Sequence, residues 1–198
     1  MKTVHYFFTP VSPWTYLGHD RFVAMARRHG ATVVLRPMDL GRVFPVSGGL
    51  PLGKRAPQRQ AYRLFELARW RDFVGVPLNI HPKFFPAPAD LGSKAICAAE
   101  LAAGTDAALG LAGALMRATW AEERDVGDAA TIEAIVRECG LDPAALAVHG
   151  EAATAALEAS TAEAIERQVF GAPWYVVDDV PFWGQDRLEF VERALAGA

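Results

Sequence analysis

Cysteine is scarce in this sequence: Cys97 and Cys139 are the two that occur among 198 residues, and they lie far apart. Neither belongs to a Cys-x-x-Cys pair, so the sequence predicts neither a disulfide framework nor a structural zinc site, and no metal is expected. Both lie among helix-forming residues. We expect buried structural thiols, because free cysteine commonly packs as a small apolar side chain.

Long apolar runs and an excess of positive charge are also lacking. No apolar run approaches the roughly 20 residues that span a bilayer, and the N-terminus does not resemble a signal peptide. The net charge of -3 gives no electrostatic reason for a nucleic acid or an anionic membrane as partner. A composition of 52% hydrophobic and 22% charged residues is typical of a globular protein. We therefore expect a cytoplasmic protein.

The two ends of the chain carry β signals. At the start, strands at 2–8 and 32–37 flank a helix that Ser12 and Pro13 open as N-cap and first-turn proline. From Gly171 onward, the pattern predicts strands at 173–178 and 180–183 and a terminal helix over 185–196. A β-α-β half and a β-β-α half predict one mixed sheet.

The middle of the chain is predicted to be all-α. A loop-like stretch begins at Val46, and helical spacing follows it in six segments: 57–73, 91–103, 105–120, 129–139, 143–149 and 151–170. Residues 1–38 and 171–198 are therefore expected to form one α/β domain, with 39–170 as a helical insertion that includes the long returning helix.

The first candidate site lies at the start of the first helix. A helix N-terminus stabilises an anion through free N–H groups and a partial positive charge. Redox proteins of the thioredoxin type place a cysteine thiolate there. Here Ser12 and Thr15 occupy both redox positions, which excludes disulfide exchange at this motif. Ser12 either donates a hydrogen bond to an external anion such as a cofactor thiolate, or acts only as an N-cap.

Two further candidates lie near the C-terminus. Pro173 follows Ala172 at a strand start, where we expect a cis bond that frees backbone groups for a ligand; the alternative is a trans proline on an edge strand. Trp183, Gly184, Gln185 and Asp186 join the last strand to the last helix. Asp186 could accept a ligand ammonium, or the segment could be a simple helix cap with an exposed ion pair.

The helical region contributes two more candidates. Lys54, Arg55, Arg59 and Arg63 form a basic run that is either a solvated helix face or a source of cations for an anionic substrate. The aromatic, proline-rich loop at 81–86 either plugs the core or forms a wall of an apolar pocket.

In order and spacing, these segments resemble the 2-hydroxychromene-2-carboxylate isomerase family, which is close to the kappa-class glutathione transferases in the DsbA-like thioredoxin group. The resemblance covers essentially the whole chain. It is carried by Tyr6–Phe8, Ser12–Leu17, Pro37–Leu40, Gln60–Arg63 with Arg69 and Trp70, Val169–Pro173 and Phe182–Leu188.

The resemblance implies a thioredoxin-like fold with a large helical insertion, commonly a homodimer, and glutathione as cofactor. It places Ser12 beside the glutathione sulfur, Ala172 and Pro173 at the cysteinyl part, and Trp183–Asp186 at the γ-glutamyl end. Lys54, Arg55 and Phe84 fall near positions that contact substrate. The substrate-contact lysine after the second strand is replaced here by Phe44, and Arg42 or Lys54 could supply the missing charge.

The implied activity is isomerisation of 2-hydroxychromene-2-carboxylate-type aromatic catabolites to trans-o-hydroxybenzylidenepyruvate, with glutathione as an unconsumed cofactor and Ser12 as stabiliser of its thiolate. Three alternatives stay open. They are a kappa-like glutathione transferase or peroxidase, a non-catalytic thioredoxin-fold binding protein, and a thiol-disulfide oxidoreductase that uses Cys97 or Cys139.

Overall fold

Four short strands form one mixed sheet in the computed structural model of the protein, which describes residues 1–197. The strands are β1 (Thr3–Phe8), β2 (Thr32–Pro37), β3 (Trp174–Val177) and β4 (Val180–Trp183), in the order β2-β1-β3-β4. β1 runs parallel to β2 and antiparallel to β3, and β3 pairs antiparallel with β4. This arrangement confirms the predicted mixed sheet built from both ends of the chain.

Nine α-helices surround the sheet within the described residues. They are α1 (Pro13–Arg28), α2 (Leu40–Ser47), α3 (Pro57–Val74), α4 (Asp90–Ala103), α5 (Thr105–Trp120), α6 (Ala129–Glu138), α7 (Pro143–Ala147), α8 (Gly150–Glu166) and α9 (Leu188–Ala196). Short 3-10 turns cover Leu52–Lys54 and Gln185–Arg187. No helix within residues 1–197 combines the length and the apolar character that crossing a membrane requires.

Apart from shifts of one or two residues at helix ends, the helices differ from the prediction at three places. α2 was not predicted, because Pro45 lies inside it and proline disfavours a helix interior. The sequence signal for this helix is its N-cap Asp39, whose carboxylate accepts a hydrogen bond from the Gly41 amide at 2.7 Å. α8 ends at Glu166 rather than Phe170, since Gln168 has a left-handed φ of 59° that a helix cannot continue through. The last helix starts as a 3-10 turn before α9.

The sheet is covered on both faces. On one face Tyr6 stacks on Tyr175 with ring centroids 5.3 Å apart, and Phe22 of α1 packs on Tyr6 at 4.5 Å. On the other face Phe7 and Trp174 belong to a smaller core with residues of α2 and α8. Side chains alternate between faces along β1, which explains how consecutive aromatic residues serve two cores. Elements of the predicted insertion thus also pack on the sheet, while the domain boundaries themselves stay a prediction.

A buried series of hydrogen bonds runs through His19 of α1. The ring of His19, which is 2% exposed, lies between the Tyr6 hydroxyl, 3.2 Å from Nδ1, and the Leu109 carbonyl, 3.0 Å from Nε2. A carbonyl only accepts, so Nε2 carries the proton and Nδ1 accepts from Tyr6. Burial lowers the pKa of His19 below its ordinary value. The imidazole therefore joins α1 to β1 and α5 in its neutral form.

This arrangement predicts a loss of stability in mild acid. Above pH about 6.5 His19 is neutral in both the folded and unfolded states; below it the unfolded chain gains a proton that the folded state resists. The free energy of unfolding should therefore fall as the pH drops below about 6.5, by at most about 1.4 kcal/mol per pH unit for one proton. The measurement is urea unfolding between about pH 5 and pH 8.

His19→Gln serves as the comparison variant, because its amide can still donate to the Leu109 carbonyl without titrating. Its pH dependence should be shallower, though not flat, since burial lowers the pKa of His5 as well. An equally steep pH dependence in His19→Gln would contradict the assignment.

Candidate active site

The start of α1 is a buried helix N-terminus built by Ser12. Ser12 has extended backbone angles, is 8% exposed, and its Oγ accepts a hydrogen bond from the Thr15 amide at 3.2 Å. Accepting this bond uses an oxygen lone pair and leaves the hydroxyl proton free to donate. The N-cap function and the anion-donor function are therefore compatible in one residue. Thr15 is fully buried, and its Oγ1 has no hydrogen-bond partner within residues 1–197.

The sheet register brings the C-terminal candidates to the same end of the molecule as Ser12. Phe7 of β1 lies opposite Trp174 of β3, and Trp174 lies opposite Trp183 of β4. Pro173 therefore lies beside the end of β1, from which the chain continues to Ser12. The peptide bond between Ala172 and Pro173 is cis, as the sequence predicts, and the Pro173 carbonyl accepts from the Gly184 amide at 2.9 Å.

The segment from Trp183 to Asp186 presents only some of its side chains to solvent. Trp183 is half exposed and packs edge to face on Phe170, with centroids 4.7 Å apart. Gly184 has a φ of 107°, which favours glycine. The Gln185 side chain is buried and accepts from Arg21 of α1 at 2.9 Å. Asp186 is partly exposed and lies 3.3 Å from Arg187, so its carboxylate is the accessible charge of this segment.

A cavity of about 340 Å³ lies between α3 and the 77–88 loop. Arg63, Leu64 and Gln60 of α3 line it, as do Leu52, Ala61, Ile80, His81, Pro82, Phe85 and Pro86. The Arg63 guanidinium lies over the rings of Phe85 and Trp120, at 5.5 and 5.8 Å from their centroids. Burial, with the nearby charge of Arg55, lowers the pKa of Arg63 to about 10. The cavity is therefore lined mainly by apolar side chains, with the partly desolvated cation of Arg63 among them.

One aromatic ring connects this cavity to the helix N-terminus. Trp120 is fully buried, and its indole Nε1 donates to the carbonyl of Val11 at 3.2 Å. Val11 directly precedes Ser12, and the Tyr16 hydroxyl of the same helix donates to the Pro77 carbonyl at 2.8 Å. Trp120 and Tyr16 thus link the start of α1 to α3 and to the loop that lines the cavity.

The predicted substrate residues lie around this region but not in the cavity wall. Arg55 donates to the Leu50 carbonyl at 2.8 Å and lies 5.9 Å from the centre of the Phe44 ring. Lys54 is exposed. Phe84 is half-buried, with the Lys83 ammonium 4.9 Å from its ring centre, and the cavity wall is formed by the next residue, Phe85.

Arg63 and Phe85 belong to two predicted candidates, the basic run and the 81–86 loop, but sequence reasoning did not distinguish them from their neighbours. The basic run was predicted to be either a solvated face or a source of cations for substrate. Gln60, Arg63, Leu64 and the buried Leu67 share one side of α3 by helical spacing. That periodicity is the sequence signal for Arg63. Nothing in the sequence distinguishes Phe84 from Phe85, because the loop between α3 and α4 has no periodicity.

Comparison with known proteins identifies the family. A model of the DSBA-like thioredoxin domain matches residues 3–196. A 2-hydroxychromene-2-carboxylate isomerase of Sphingobium xenophagum is 32% identical over 197 residues, covering 98% of this chain and 98% of that protein. The chain belongs to the 2-hydroxychromene-2-carboxylate isomerase family.

Solved structures of similar fold agree with this family. A 2-hydroxychromene-2-carboxylate isomerase superposes with a TM-score of 0.80 at 28% identity, covering 98% of this chain and 95% of that one. The cytosolic disulfide reductase DsbM of Pseudomonas aeruginosa, solved with GSH, has a TM-score of 0.67 at 20% identity and covers 98% of this chain and 96% of that one. The second likeness shows the shared fold alone.

The two cysteines of this family member are unsuited to redox chemistry. Cys97 is 3% exposed in α4, and burial raises its pKa to about 12. Cys139 at the end of α6 is half-buried, and burial raises its pKa as well. A reactive thiol needs exposure and a lowered pKa. The structure therefore disfavours the thiol-disulfide oxidoreductase alternative.

No metal site is found in the described part of the chain. Within residues 1–197, no group of three or more histidine, cysteine or acidic residues could hold a metal ion.

Gly18 of α1 lies in close contact with the 3-10 turn that contains Asp186. A Cβ on Gly18 would lie 2.6 Å from Gln185 Cβ. We therefore expect Gly18→Ala to displace this turn and to lower the free energy of unfolding by about 1–3 kcal/mol. Urea unfolding measures the change.

Gly110→Ala is the matched control, since Gly110 also lies within a helix but a Cβ added to it would have no other atom within 4 Å among residues 1–197. This substitution should stabilise the protein by about 0.5–1 kcal/mol through its effect on helix propensity. Equal effects of the two substitutions would show that the contact at Gly18 does not constrain the fold.

Proposed function

We propose that the protein is a glutathione-dependent isomerase that acts on 2-hydroxychromene-2-carboxylate-type aromatic acids. The observation that carries the proposal is the convergence of Ser12, Pro173 and Asp186 at one end of the sheet. A cavity with an apolar wall and a cation is linked to the start of α1 through Trp120. The near full-length similarity to an isomerase of that name supports the substrate class.

The residues present fit a thiol tripeptide. The Ser12 hydroxyl has a free proton, and the buried Thr15 Oγ1 lacks a partner in the described residues, so the start of α1 has unused polar capacity. Because Pro173 has no N–H, the backbone N–H for the cysteinyl part would come from Ala172. The Pro173 carbonyl accepts from Gly184 with one lone pair and keeps the other. Asp186 would accept the ammonium of the γ-glutamyl end.

When bound, glutathione supplies a thiolate that can add reversibly to an electron-poor conjugated carbon, which is nucleophilic catalysis by a borrowed thiol. Ser12 would hold that negative charge by donating its hydroxyl proton, and the N–H groups of the first turn of α1 would add to the stabilisation. The hydrogen-bond partner of Ser12 Oγ is the Thr15 amide, which is not a base. Ser12 therefore acts as a stabiliser of the thiolate and not as the nucleophile.

The cavity would hold the aromatic ring of the substrate. Leu64, Ile80 and Phe85 provide apolar contact, while Arg63 provides positive charge. A site of this kind, mostly apolar with few polar groups, suits a small aromatic acid. Two of its lining residues, Arg63 and Phe85, contact Trp120, whose indole donates to Val11 at the start of α1.

Replacing Ser12 tests the thiolate role. Ser12→Ala removes one charge-assisted hydrogen bond, worth about 1.5–3 kcal/mol, so the pKa of bound glutathione should rise by about one to two units. Calorimetric titration with reduced glutathione and thiolate absorbance against pH provide the two measurements.

Ser12→Thr retains a hydroxyl and should keep most of the effect, and Ser160→Ala, at another buried serine in α8, serves as control. Because Ser12→Ala also loses an N-cap worth about 1 kcal/mol, its folded state is verified by circular dichroism. An unchanged thiol titration in Ser12→Ala would contradict the proposed role.

The isomerase and the transferase differ in the fate of glutathione. With glutathione at about one-tenth of the substrate concentration, an isomerase should convert all of the 2-hydroxychromene-2-carboxylate and leave the thiol intact. Conversion that stops when glutathione is exhausted would favour the transferase alternative. Glutathione binding without any turnover would favour the binding protein.

A further inference from the structure

We propose that Arg63 binds the carboxylate of the aromatic substrate and so determines the preference of this chain for anionic ligands. The inference rests on the proposed function for the identity of the substrate, and it goes beyond it by assigning the cation. The geometry points to Arg63 and not to the residues that the family resemblance suggested, Lys54 and Arg55.

Arg63 belongs to a group of cations without carboxylate partners. Within residues 1–197, every arginine outside the 54–63 run except Arg21 has a carboxylate within 4.0 Å. Lys54, Arg55, Arg59 and Arg63 have none in that part of the chain. Among residues 1–197, four of the six lysines and arginines without a carboxylate partner thus lie in the 54–63 run, and the other two are Arg21 and Lys83. An anionic ligand in the adjoining cavity would neutralise part of this charge.

Among these four cations, Arg63 is the one that lines the cavity. Its guanidinium lies over two rings, those of Phe85 and Trp120, at 5.5 and 5.8 Å from their centroids. The guanidinium edge keeps its N–H donors, and none of them donates to another group within residues 1–197, whereas Arg55 and Gln60 nearby both donate to backbone carbonyls. Such a planar, preorganised fork is suited to bidentate binding of a carboxylate.

The remaining candidates are engaged elsewhere. Arg42, which could have replaced the family lysine, forms an ion pair with Glu158 of α8. Arg55 donates to the Leu50 carbonyl and lies over the Phe44 ring. Phe44, which stands where the family has a substrate-contact lysine, therefore supports Arg55 by ring contact and supplies no charge of its own. The cation that faces the cavity lies further along the chain, at Arg63.

The test measures binding of a probe rather than turnover. The probe is 2-hydroxycinnamate, an aromatic carboxylate, and its matched neutral probe is 2-hydroxycinnamamide. Calorimetric Kd values are measured for the parent protein, Arg63→Met, Arg63→Lys and the control Arg59→Met. Arg59 is exposed one turn earlier on α3 and does not line the cavity. Met preserves the length and apolar contact of the side chain while removing its charge.

Loss of one charge-assisted contact should weaken 2-hydroxycinnamate binding by Arg63→Met about 10- to 100-fold. Arg63→Lys should recover part of the lost affinity. The Kd of Arg59→Met for 2-hydroxycinnamate should stay within about twofold of the parent value. The neutral amide should bind the parent protein and Arg63→Met equally well. Glutathione binding should be unchanged in Arg63→Met. These results would support carboxylate binding by Arg63 even if the protein showed no isomerase turnover. The binding test therefore distinguishes failure of this inference from failure of the proposed function.

Three results would overturn the assignment. The first is unchanged carboxylate affinity in Arg63→Met. The second is an equal loss for carboxylate and amide, which would make Arg63 a packing residue for Phe85 and Trp120. The third is a parallel loss of glutathione affinity, which would place Arg63 in the cofactor site.

Discussion

The antiparallel ladder between β1 and β3 joins the two ends of the chain, and the candidate site depends on it. Pairing of Phe7 with Trp174 places Pro173 beside the end of β1, so that Ser12, Ala172 and the turn after β4 share one end of the sheet. The stacked rings of Tyr6 and Tyr175 lie on the same ladder and are both fully buried. A slip of one residue would turn these rings to the other face. Core packing therefore sets the geometry of the site.

The Ser12 hydroxyl can cap α1 and donate to an anion at the same time, because the two interactions use different parts of the group. Its lone pair caps α1 and its proton remains available for an anion. A cysteine at this position would be a redox thiol, whereas serine keeps the hydrogen bond and the favourable field of the helix without forming a disulfide. With Cys97 and Cys139 buried or half-buried and their pKa values raised, the thiol required by the proposed chemistry has to come from a cofactor.

Charge is arranged differently at the cavity and on the rest of the surface. Most arginines are neutralised by neighbouring carboxylates, several of them at i,i+4 positions of one helix. Arg63 instead loses hydration to two aromatic faces, and this loss lowers its pKa. A partly desolvated cation attracts an anion more strongly than a solvated one does. Desolvation therefore turns an ordinary helix residue into a candidate binding group.

The sequence by itself determined the local elements and the ends of the fold. Ser12 and Pro13 specify the start of α1 through capping. Enrichment in β-branched residues indicates β1 and β2, with aromatic residues added in β1. These signals are local in sequence. Local signals were insufficient for α2, which Pro45 interrupts, and for the end of α8. Only the tertiary structure decided which residue of two adjacent phenylalanines lines the cavity, and which cation of a basic run faces it. Those choices depend on contacts of Arg63 and Phe85 with Trp120, which is distant in sequence from both.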